Sequence, residues 1–88
     1  MAIEQSTSVI RGQIRDFIRE VADTKGVNLF TDQEPLMESG IVDSLSIFRL
    51  VSFLEETFRI RIGDEEITNE NLQSVETIEQ FVLSKQRR

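Results

Sequence analysis

The sequence has no Cys, His, Trp or Tyr, and a single Pro. Without Cys, a disulfide scaffold cannot form. Without Cys and His, the usual structural and catalytic zinc sites are excluded. So are the nucleophilic dyads and triads that depend on those side chains. No apolar run approaches the roughly 18–20 residues that a membrane-spanning helix needs. The first residues lack the basic-then-apolar pattern of a signal peptide. Excess positive charge is missing too. Ten Lys and Arg stand against sixteen Asp and Glu, a net charge of −6. A net acidic chain is poorly suited to nucleic acid or anionic lipid. The expectation is a soluble, cytoplasmic, monomeric protein with no nucleic-acid or membrane partner. Its 88 residues fit one domain, with a thin core that buries about 60–65% of the unfolded surface.

What is present is unevenly spread. Residues 1–30 hold four acids and four bases, and residues 81–88 hold three bases and no acid. Residues 31–80 hold twelve acids and three bases, or −9. An acidic middle can be a solvated surface that resists association. It can also be a docking face for basic partners.

Periodicity divides the chain into helices. Val9, Ile10, Ile14, Phe17, Ile18 and Val21 recur at helical spacing, with Arg11, Arg15 and Arg19 elsewhere on the wheel. Ser6, Thr7 and Ser8 are possible N-caps, and Lys25-Gly26 reads as a stop, so the first helix is expected over about 5–24. Residues 26–43 lack a sustained period and contain Pro35 and Gly40. They form a long crossover loop, whose Val27, Leu29, Phe30, Leu36, Met37, Ile41 and Val42 are expected to pack down on the helices. A second helix is expected over 44–57, with Ile47, Leu50, Val51, Leu54 and Phe58 inward. Leu45, Phe48 and Phe53 widen its apolar face beyond what one core contact needs, and Glu55-Glu56 sit at its exposed end. Phe58-Arg59-Ile60-Arg61-Ile62 alternates like a strand. Nothing else in the chain could pair with it, so an extended connector is expected. A short helix over 66–72, capped by Thr68, precedes a last helix over 75–85 capped by Ser74. Lys85, Arg87 and Arg88 stand at its C-terminal dipole end. Three longer helices, one short helix and a long first crossover make an all-α, small four-helix bundle.

The most informative stretch is Glu38-Ser39-Gly40-Ile41-Val42-Asp43-Ser44-Leu45-Ser46. Taken alone, Asp43-Ser44 is good helix-start chemistry. With its surroundings it resembles the acyl carrier protein family, in which Asp-Ser-Leu opens the second helix. The likeness extends through Leu54-Glu55-Glu56-Thr57-Phe58, Ile62-Gly63-Asp64-Glu65-Glu66, Ser74-Val75 and Phe81-Val82, covering about residues 5–84. The resemblance implies that Ser44 carries covalent 4′-phosphopantetheine, flanked by Asp43 and Leu45. It implies no enzymatic activity. Acyl or aminoacyl groups would ride as thioesters on the arm, between loading enzymes and condensing or transfer enzymes. A phosphopantetheinyl transferase would install the arm. Asp43 would then serve partner and Mg²⁺ recognition rather than stability, and the phosphodiester would lie beside unpaired N–H groups of the helix start. Leu45, Phe48, Arg49, Glu55 and Glu56 would be partner contacts. No metal ligands are assigned.

Departures from the fatty-acid-synthesis pattern point to a specialised pathway. Two residues separate Gly40 from Asp43, where that pattern has one. Ser46 and Arg49 stand where that pattern has acidic residues, three apart on what is expected to be one patch. A cation there disfavours partners that expect an anion. The alternative from another class is a helical interaction module that binds without covalent modification. A calcium-binding reading fails because no window has EF-hand spacing.

Overall fold

The computed structural model describes residues 7–87, with side chains from residue 9. Four α-helices and one 3₁₀ turn appear in the order α1 (Thr7–Thr24), α2 (Ser44–Phe58), the turn Asp64–Glu66, α3 (Asn69–Leu72) and α4 (Val75–Gln86). The all-helical bundle is as expected, and among the described residues there is no strand. The expected first turn at residues 5 and 6, with Ser6 as a cap, lies outside the described residues, as does Arg88.

One core joins all four α-helices. Ile10, Ile14 and Ile18 of α1 meet Leu50 and Leu54 of α2, Leu72 of α3 and Val75, Ile78 and Val82 of α4 in a single buried cluster. Val9, expected inward, is instead exposed. Phe17 is half-buried because it stacks on Phe53, their centroids 4.6 Å apart, across the α1–α2 seam.

Two residues past the end of α1 stands Gly26, whose φ of 74° is the left-handed conformation that a side chain disfavours. The crossover is then tied down by backbone bonds. The Leu36 N–H donates to the Gln73 carbonyl at 2.8 Å, and the Glu76 N–H to the Asp32 carbonyl at 2.9 Å. Leu36, Ile41 and Val42 are buried as expected, but Leu29 and Met37 are exposed. Val27 and Phe30 are half-buried against the same core.

The segment after α2 is the expected connector, with Ile62 buried and Ile60 half-buried. The short helix expected over 66–72 divides in two. Asp64–Glu66 is a separate 3₁₀ turn, and α3 begins only after Thr68, whose hydroxyl accepts from the Asn71 N–H. The division follows from Glu66, which folds back to accept the Gly63 N–H at 2.9 Å and the Lys85 ammonium at 2.7 Å. Lys85 is thus committed to a carboxylate as well as lying in the last turn of α4.

Candidate functional site

Ser44 is the first residue of α2, and it is exposed. Local chemistry puts it there. Asp43 adopts an extended backbone, and its Oδ1 accepts the N–H groups of Leu45 and Ser46 at 3.1 and 2.8 Å. The Asp43 carbonyl accepts the Ile47 N–H, which starts the helical ladder. Gly40, at φ 82°, lets the loop turn just before this start. Buried Ile41 and Val42 then press the loop onto the core. Ser44 follows at the point where the chain turns outward.

Asp43 has a second partner that sequence reasoning missed. Lys25, just past the end of α1, places its Nζ 2.6 Å from Asp43 Oδ2. The pair closes the crossover at its two ends. The Lys25 ammonium and the Ser46 N–H together hold the Asp43 carboxyl well below the usual carboxylate range. Two expectations are therefore corrected. Asp43 serves the fold, as cap and ion-pair partner. The N–H groups of Leu45 and Ser46 are already engaged, so they are not open to a phosphate. What remains at Ser44 is the positive end of the α2 dipole, next to a carboxylate that Lys25 neutralises.

Beyond Ser44 the helix shows two unlike faces. Leu45 is 76% and Phe48 is 61% exposed, large values for such apolar side chains. Arg49 and Glu56 are exposed beside them. Glu55 is not: it is half-buried, and its Oε2 accepts the Ile62 N–H at 2.9 Å. Ser46 is buried, so it does not share an exposed patch with Arg49. The i, i+3 relation of those two residues straddles the edge of the core face.

The acidic middle is also partly spent inward. Asp32, Asp43, Glu55, Glu66 and Glu79 all accept internal hydrogen bonds. The outward charge is correspondingly smaller than −9. Among the described residues, no group of three or more His, Cys, Asp or Glu could hold a metal ion, and no helix is long and apolar enough to cross a membrane.

Comparison with known proteins gives this bundle its class. Residues 12–82 match the family described as "Phosphopantetheine attachment site", and the chain belongs to that family. It is also 44% identical over 46 residues to the probable acyl carrier protein PigG of Serratia sp.. That match spans 52% of this chain and 53% of the relative, about half the length of each. A domain of this family carries covalent 4′-phosphopantetheine as its cofactor. Carriers of this family work with a phosphopantetheinyl transferase and with biosynthetic enzymes. An exposed hydroxyl at the start of a helix suits such a phosphodiester-linked group.

Proposed function

We propose that Ser44 bears the arm and that the chain works as one carrier unit, shuttling acyl or aminoacyl groups as thioesters between partner enzymes. The observation that carries this reading is Ser44 itself, exposed at the first position of α2 and fixed there by the Asp43 cap. Once attached, the arm supplies the thiol that the chain lacks. The bundle contributes presentation: a rigid helix start, open approach and a field favourable to negative charge. Leu45 and Phe48 serve as the apolar contacts next to the arm, with Arg49 and Glu56 as the charged ones. Glu55, bonded to the connector, supports the helix end and is a weaker candidate for direct contact.

The test is chemical. Incubation with coenzyme A and a broad-specificity phosphopantetheinyl transferase should add one arm to the intact mass. Fragmentation should place it on Ser44, and Ser44→Ala should stay unmodified. An arm on another serine, or no arm with several transferases, counts against the assignment and favours a non-covalent module.

The exposed Arg49 supports a specialised pathway over housekeeping fatty-acid synthesis. Partners built for an acidic helix face meet a cation there. Transfer rates from several synthases should rise for those of fatty-acid synthesis when Arg49→Glu is introduced. Unchanged rates throughout would remove Arg49 as a determinant.

A further inference from the structure

The exposed apolar side chains of α2 do not stand on a flat surface. They border a shallow groove between α1 and α2, lined by Phe17, Leu45, Phe48, Arg49, Phe53 and Glu56. Its floor is the Phe17–Phe53 stack, with ring planes 18° apart. Phe53 also meets Phe58 edge-on, at 6.2 Å between centroids. The floor thus draws a ring from each helix. Phe48, 61% exposed, stands on its border.

Charge gives the groove a direction. Arg49 and Glu56 are both exposed and seven residues apart on α2, about 10 Å along the axis. Among the described residues, Arg49 makes no ion pair with any carboxylate. The cation is at the Ser44 end and the anion is away from it.

We propose that the partner footprint crosses from α2 onto α1 through this groove, and that the partner is a protein surface with an apolar ridge bracketed by a carboxylate facing Arg49 and a cation facing Glu56. The proposal rests on the carrier reading for its location but adds α1 and the partner's chemistry. A second copy of this chain fits less well. A twofold axis midway between Arg49 and Glu56 would satisfy both charges, but it would sit near Ser52 and Phe53. The exposed apolar surface lies off that centre, at Leu45 and Phe48 beside Ser44. A partner that approaches the arm covers it; a symmetric mate does not.

Two Ala-based helical peptides of about 20 residues test this. Each carries the same Leu–Phe ridge. One brackets it with Glu and Lys, the other with Lys on both sides. Titration is followed through the ring signals of Phe17 and Phe48. The protein should bind the Glu/Lys peptide about three-fold more tightly, a ratio typical of one exposed charge pair. In Arg49→Glu the preference should reverse. Both rings should shift together. Equal affinity for the two peptides, a silent Phe17, or ring shifts that depend on protein concentration without peptide would overturn the proposal, the last because a second copy then fills the groove. The same samples are treated with coenzyme A and transferase. Normal modification with no peptide preference removes the groove and leaves the carrier reading. Failed modification removes the carrier reading by itself.

Discussion

Asp43 shows how one residue can serve both fold and site. Its carboxylate caps α2 and binds Lys25, so it fixes the orientation of Ser44. Substitutions separate the two contributions. Asp43→Asn keeps a competent cap but loses the ion pair, whereas Asp43→Ala loses both. Thermal melts should therefore rank wild type above Asn and Asn above Ala. Equal Tm for Asn and Ala would show that the cap contributes nothing. The pH dependence has a definite sign. Lys25 lowers the Asp43 pKa, and Arg15, followed by Arg11, lowers that of Asp32. A carboxylate that is more acidic folded than unfolded stabilises the protein above its unfolded value, here 3.8 for both. That stability is lost as pH falls further toward the folded value. Tm should be flat near neutrality and fall below about pH 4, less steeply in Asp43→Asn. At this scale the sequence was most legible where chemistry is local. An Asp-Ser pair announces a helix start by itself. The Lys25 contact spans eighteen residues and depends on how the loop closes, so no local pattern encodes it. Glu55 and Ser46 were misplaced for a related reason. Glu55 turns inward to accept the Ile62 N–H, and Ser46 turns toward the Asp43 carboxylate.

The helices follow periodicity closely, because each has an apolar stripe that only one face can bury. Boundaries with caps were legible: Gly26, Asp43, Thr68 and Ser74 all end or begin elements. The end of α2 was less so, because Arg59 takes a left-handed backbone, φ 54°, without being glycine. α1 offers a clean test of propensity. A Cβ on Gly12 would meet nothing within 4 Å. Gly12→Ala should therefore stabilise the protein by about 0.5–1 kcal/mol in urea melts. Gly26→Ala should do the opposite, by about 1 kcal/mol, although it too has open space around it, because its backbone conformation disfavours a side chain. Matching effects of the two substitutions would mean that α1 does not end as described.

At the scale of the whole molecule, polar groups join what periodicity leaves separate. Arg11 of α1 reaches Glu79 of α4 at 2.7 Å and Asp32 of the crossover at 3.2 Å, and Arg15 reaches Asp32 at 2.6 Å. The hydrophobic pattern placed these arginines off the core face, and they are indeed partly exposed. Nothing in that pattern shows that Glu79 is 2% exposed beneath one of them. Arg11→Ala would strand a buried carboxylate whose Oε2 already lacks a hydrogen-bond partner. The expected cost is about 2–3 kcal/mol, with Arg11 one-third exposed. Arg11→Ala/Glu79→Leu should recover most of it, since no buried charge then remains. A double variant as unstable as the single one would assign the loss to packing.

The same scale explains the amino-acid absences. A bundle without Cys has no thiol to exchange with a tethered acyl group, and none to confuse a count. Thiol titration of the unfolded protein therefore reads the central claim directly. Before treatment the count is zero, because the sequence has no Cys. After coenzyme A, transferase and removal of small molecules, wild type should yield one thiol per chain and Ser44→Ala none. No thiol in wild type, or a thiol in Ser44→Ala, would contradict the assignment of the arm to Ser44.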